Sequence, residues 1–125
     1  MIAGIGTDIL KIDRLKASYA RTQGRLAERI LGAEEIKVFH ARLARNESRG
    51  MAYLATRFAA KEALTKALNL KTLNWRELEV LNEESGKPYF AFHGDMANFL
   101  KGKTVHLTLS HDAGIASAMV IVEAK

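Results

Sequence analysis

Hydrophobic positions recur at helical spacing through the first half of the chain and alternate in the second. Ala33 to Arg45 carries Ile36, Phe39, His40 and Leu43 at intervals of three and four, which predicts a helix with one buried stripe. Asp13 stands where an N-cap would open a helix through Leu15, Tyr19 and Ala20. Gly24 interrupts that pattern, and Arg25 to Leu31 form a further short helical stretch. Asn46 to Gly50 reads as a polar linker, and strong helix formers without Gly or Pro then predict a helix from Met51 to Leu68. Ahead of all these, Met1 to Ile5 is a short apolar run ending in Gly6-Thr7-Asp8, which suits a buried strand with Asp8 at a turn.

From Leu78 onward the period shortens. Leu78 to Leu81 and Tyr89 to His93 are strand candidates flanking a turn at Glu83 to Lys87 around Gly86. Asp95 is placed to cap a short helix with Met96, Phe99 and Leu100. Val105, Leu107 and Leu109 alternate with His106 and Thr108, which predicts a half-buried strand. A turn at Ser110 to Gly114 leads to a last apolar strand, Ile115 to Val122. Helices first and hairpins later predict an α+β fold with helices packed on an antiparallel sheet.

At 125 residues, 48% apolar and 26% charged, the chain reads as one domain, residues 1–125, able to bury its own core. Cysteine is absent, which excludes thiol redox chemistry, a thiolate nucleophile and a thiolate zinc site. The longest uncharged run, Ala113 to Val122, is too short to span a bilayer, and the N-terminus lacks the basic opening of a secretory signal. A cytoplasmic protein without membrane association is expected. The net charge of +5 points to acidic partners, a class that includes nucleic acids, phosphorylated cofactors and acidic proteins.

The helix at Met51 to Leu68 holds the densest chemistry. Phe58, Glu62 and Lys66 recur every fourth residue and share a face, beside an Arg57–Lys61 pair at the same spacing. Such a pattern is either a solvated surface face with an ordinary Glu-to-Lys pair, or a metal-plus-phosphate site in which Glu62 holds a cation. Gly6-Thr7-Asp8 and Ser110-His111-Asp112 are two further polar clusters at element ends. Carboxylates distant in sequence, surrounded by Lys and Arg, match magnesium bound jointly by protein and substrate phosphates.

Three of these stretches together resemble a known family. Gly4-Ile-Gly-Thr-Asp-Ile9, Arg57-Phe-Ala-Ala-Lys-Glu-Ala-Leu-Thr-Lys66 and Leu109-Ser-His-Asp112 resemble, in order, the signatures of holo-acyl-carrier-protein synthases. These are the short, trimeric branch of the 4′-phosphopantetheinyl transferases, and Gly86-Lys87-Pro88 also falls where the family has it. The resemblance implies Mg2+-dependent transfer of phosphopantetheine from CoA to a serine of apo-acyl carrier protein, in support of fatty acid biosynthesis. It implies Asp8 and Glu62 as metal ligands and Lys66 at the pyrophosphate, the three forming the catalytic set. CoA would be met by Arg49, Arg57, Lys61, Lys66, Gly86, Lys87, Pro88, Ser110 and His111, with Arg49 and Arg57 at the 3′-phosphate. Arg14 would dock the carrier protein, with Arg21 and Arg25 extending its patch. A homotrimer with active sites between subunits is implied as well. The Gly-free segment Asn69-Leu-Lys-Thr-Leu73 departs from the glycine-rich turn of many relatives.

Plainer roles stand beside these. Asp8 suits a turn cap, and Arg42, Arg45 and Arg49 suit a solvated helix face. His40 and His93 read as structural, His106 as a surface residue, and Phe58 and Trp75 as core. The competing functions are a non-catalytic CoA- or carrier-protein-binding subunit and a nucleic-acid-binding module. The latter is disfavoured by the scarcity of aromatics among the basic residues, so no nucleic-acid partner is expected.

Overall fold

A computed structural model describes residues 1–125. The α+β expectation holds. Strand β1 (Ile2–Lys11) leads into helices α1 (Ile12–Arg21), α2 (Arg25–Ile30), α3 (Ala33–Arg45) and α4 (Glu47–Ala67). A 3-10 turn at Trp75–Glu77 precedes β2 (Leu78–Asn82) and β3 (Pro88–Phe92). Helix α5 (Gly94–Phe99), β4 (Lys103–Asp112) and β5 (Ile115–Ala124) complete the chain. β1, β5 and β4 form an antiparallel sheet in that order, and β2 and β3 form a separate hairpin.

Helix α4 is the axis of the fold. Its Ala59, Ala60, Ala63, Leu64 and Ala67 pack under Val120 and Val122 of β5, while Met51, Leu54 and Ala55 face Phe39 and Ile30. The helix and β1 approach backbone to backbone. A Cβ on Gly4 would lie 1.9 Å from the Ala67 carbonyl oxygen, and one on Gly6 would lie 2.0 Å from that of Ala63. Two strand residues thus advance with four helix residues, and the next inward residue, Asp8, comes level with the turn that ends in Glu62.

Several boundaries move from their expected places. β1 runs on to Lys11, so Asp8 sits within the strand rather than at a turn. α4 starts at Glu47, because the Asn46 side chain accepts from Arg49 N at 3.1 Å and Gly50 lets the helix pack directly on Leu43. The supposed linker is therefore the helix's first turn. Asp13 and Asp95 are not N-caps; each lies inside its helix, after Lys11 and His93 in the cap positions. Ser110, His111 and Asp112 belong to β4, and the turn is only Ala113-Gly114, both with positive φ, the geometry of a tight two-residue hairpin. Past α4, Asn69 adopts φ 55° while Leu70 N donates to Thr65 O and Asn69 N to Lys66 O. Asparagine there closes the helix in the left-handed conformation that glycine usually supplies.

Gly6→Ala should cost about 3 kcal/mol or more, since neither backbone can move aside without shifting a core element. Urea unfolding should show the lowered midpoint; a stability equal to wild type would mean the β1–α4 contact is looser than described.

Candidate active site

Lys61 and Glu62 are neighbours with opposite fates. Lys61 is fully buried, and its ammonium donates to Glu35 Oε1 at 2.6 Å, Ile30 O at 2.6 Å and Trp75 O at 3.0 Å. Three acceptors match the three N–H bonds of an ammonium, so the charged form satisfies the pocket even though burial pulls its pKa down; Glu35 opposes that pull. Glu35 also accepts from Gly32 N and Val80 N. Glu79, from β2, accepts from Glu34 N and Glu35 N at the start of α3 and meets His93 Nε2 at 2.9 Å. The expected CoA contact by Lys61 is thereby corrected: its charge is consumed inside the protein, and no part of it reaches solvent. His93 has the structural partner expected of it.

With Lys61 turned inward, Glu62 and Lys66 face outward along α4. Lys66 Nζ donates to Asp8 Oδ1 and to Thr7 O, each at 3.0 Å. The Asp8 carboxylate is mostly shielded while Lys66 is about half exposed. Glu62 is one turn before Lys66 and lines a shallow recess with Arg29, Lys71, Trp75 and Arg76. Strand and helix therefore bring Asp8 and Lys66 into contact, with Glu62 one turn before Lys66 on the same helix. No cluster of three or more potential ligand side chains exists. Two carboxylates offering only oxygen suit a hard cation that keeps water and phosphate as its other ligands, so the donor set fits Mg2+.

A second recess, of about 910 Å³, opens on the other side of α4. Arg42, Arg45, Arg49 and Arg57 line it together with His111, and no carboxylate does. Four guanidinium groups without a counter-charge make a cleft for a highly charged anion. Gly86, Pro88, Ser110 and His111 also border it. Lys87 lies in the same turn but does not line the cleft. A solvated face is the expectation for Arg42 and Arg45; the signal for the cleft is the run Arg42, Arg45, Arg49 at successive intervals of three and four residues along adjoining helices.

Arg57 is almost wholly buried at the cleft wall. Its guanidinium lies 4.0 Å over the Tyr53 ring and donates to Asn82 Oδ1 at 2.7 Å and Thr56 Oγ1 at 3.1 Å, all neutral partners. Burial lowers its pKa, yet arginine keeps its proton at any working pH. Burial likewise pushes the Tyr53 phenol up to about 12, against the pull of Arg57, so it stays neutral. Arg14 and Arg21 are exposed seven residues apart on α1, hence on one face, and Arg25 is exposed at the start of α2.

Residues 4–116 match the family model of the 4′-phosphopantetheinyl transferase superfamily. Proteins named holo-[acyl-carrier-protein] synthase from Polynucleobacter necessarius and Polynucleobacter asymbioticus are each 54% identical, over 100% of this chain and 96% and 100% of theirs. Among solved structures, a holo-(acyl-carrier-protein) synthase from Bacillus anthracis in complex with CoA (3′,5′-ADP) is 33% identical with a TM-score of 0.82, covering 100% of this chain and 99% of its own. The holo-[acyl-carrier-protein] synthase from Neisseria meningitidis is 32% identical with a TM-score of 0.88, covering 98% of this chain and 99% of its own.

Lys61→Met should lose about 3–5 kcal/mol of stability, because Glu35 is left buried without its counter-charge. Denaturant unfolding reads this directly. A Lys61 that served only as a cofactor ligand would leave the midpoint where it was.

Proposed function

The chain belongs to the 4′-phosphopantetheinyl transferase superfamily, and from that premise we propose that it converts apo-acyl carrier protein to its holo form with CoA as donor. The observation that carries this reading is the carboxylate-free, four-arginine cleft on the helix that also holds Glu62 and Lys66. The serine hydroxyl of the carrier attacks one phosphorus of the CoA pyrophosphate. A new P–O bond to serine forms as the bridging P–O bond breaks, and adenosine 3′,5′-bisphosphate departs with the electron pair. The whole chain acts as one transferase domain.

Asp8 and Glu62 would hold Mg2+, which supplies charge neutralisation at the pyrophosphate when bound. Lys66, fixed against Asp8 and Thr7, stands ready to neutralise charge growing on the leaving phosphate. The serine proton passes to Glu62 or to a water that it orients. In the cleft, Arg49 and Arg57 hold the 3′-phosphate of CoA, with Gly86, Pro88, Ser110 and His111 at the adenosine end. Arg14 and Arg21 present one basic face to the acidic carrier, with Arg25 beside it. The product feeds fatty acid biosynthesis. A cytoplasmic location goes with this work, and no helix is long and apolar enough to cross a membrane.

Active sites shared between three copies also belong to this reading. Arg57 and Glu62 are five residues apart, roughly 140° around α4, so one chain turns its phosphate cleft and its carboxylates to different sides. The outer face of the β1–β5–β4 sheet meanwhile exposes Ile5, Ile9 and Met119. Burying such a face against neighbouring copies removes apolar area from water and brings one chain's carboxylates toward another's cleft.

Asp8→Ala and Glu62→Ala should each abolish the gain of one phosphopantetheine on apo-acyl carrier protein, read by intact-mass spectrometry, with folding unchanged. EDTA should abolish it in the wild type. Wild-type turnover by either variant would remove the metal assignment. Separately, Ile5→Glu should convert a trimer to monomers in sedimentation velocity and stop transfer; a wild-type protein that sediments as a monomer under assay conditions would overturn the shared site.

A further inference from the structure

Asn82, the last residue of β2, has no motif around it, yet it joins two parts of the arginine cleft that come from distant stretches of chain. Its Oδ1 accepts from Arg57 Nη2 at 2.7 Å, and its Nδ2 donates to Gly86 O at 2.8 Å. Arg57 comes from α4, whereas Gly86 lies at positive φ in the turn to β3, where its own N–H donates to Glu83 O. A primary amide accepts from the guanidinium with its oxygen and donates to the carbonyl with its nitrogen, two separate atoms that span both groups at once.

Neutrality is the second feature. An aspartate in this place would hold Arg57 more tightly but would cancel its charge and set a carboxylate at the cleft wall. Tyr53, Thr56 and Asn82 instead fix the guanidinium by an aromatic face, a hydroxyl and an amide, none of them charged. Arg57 has five N–H donors: Nη1 and Nη2 each spend one on protein, Nε is buried without a partner, and one N–H on each Nη remains along with the undiminished charge. The ligand group that gains most from undiminished, pre-oriented guanidinium charge is a phosphomonoester, which carries close to two negative charges.

We propose that Asn82 is a positioning residue that sets Arg57 and the Gly86 turn as one unit and thereby makes the cleft select a donor bearing a phosphomonoester over the same donor without it. This rests on the reading of CoA as the cleft's ligand. CoA and dephospho-CoA, which share the pyrophosphate and the pantetheine arm, isolate that one group.

The test is calorimetric binding of both compounds to the wild type, Asn82→Ala, Asn82→Asp, Arg57→Ala and the Asn82→Ala/Arg57→Ala double variant, with phosphopantetheine transfer and melting temperature measured alongside. Asn82→Ala should weaken CoA by about tenfold, the scale of one hydrogen bond to a charged group, and leave dephospho-CoA within about twofold. Transfer should show the change in KM for CoA, with kcat nearly kept. Asn82→Asp, close to isosteric, should lose at least as much selectivity although it retains an acceptor for Arg57. Once Arg57 is alanine, removing Asn82 should change the CoA to dephospho-CoA ratio no further. Equal weakening of both compounds, or an unchanged ratio in Asn82→Ala and Asn82→Asp, would overturn the assignment while leaving the transferase reading intact. A wild type that binds neither compound would overturn the transferase reading, and this inference with it.

Discussion

The burial of one ammonium group orders the rest of the molecule. Lys61 ties α4 to the end of α2 through Ile30 O, to α3 through Glu35 and to the 3-10 turn through Trp75 O, and Glu35 carries the link on to β2 through Val80 N. A charge taken this far from water is tolerable only with all its donors used, so the arrangement admits one rotation of α4 about its own axis. That rotation decides which residues look outward. Lys66 emerges against β1, Glu62 emerges beside Trp75 and Arg76, Arg57 emerges in the cleft, and none can be moved without unpairing Lys61.

The contact of α4 with β1 sets distance as the lysine sets rotation. Glycine at positions 4 and 6 lets a strand backbone touch a helix backbone, and the strand's third inward residue is then a carboxylate held against Lys66. Inward-facing Asp8 would be an unpaired charge in most sheets. Here the helix supplies the cation that offsets it. The strand, the two glycines and the helix rotation are thus parts of one constraint, which sets Asp8, Glu62 and Lys66 on regular elements rather than on loops.

How much of this the sequence disclosed depended on whether the signal was local. β4 was legible because Val105, Leu107 and Leu109 face the core while their neighbours face water. β1 was cut short because its inward positions are Gly4, Gly6 and Asp8, which leave no apolar alternation to read. The first turn of α4 looked like a linker because Gly50 and its polar neighbours suit loops; the reason for Gly50, contact with Leu43 on α3, is tertiary. Asp8, Glu62 and Lys66 stand out in the sequence through their motifs. Lys61 was assigned outward because a lysine among charged residues normally stays in water. Its acceptors lie 14, 26 and 31 residues away, and no spacing rule foretells them.

Charge placement on α4 also sets its two sides apart. One side of the helix offers carboxylates and a lysine, the other an arginine cleft whose anchoring partners are all neutral. Had the cleft been built with acidic anchors, it would have been stable alone and nearly useless to an anion. Had Asp8 lacked Lys66, its mostly shielded carboxylate would have been left without a counter-charge. Each side is therefore compensated just enough to fold while keeping the sign its ligand needs. A long ligand with phosphates at separate points can bridge surfaces of this kind only if both are brought to face one space.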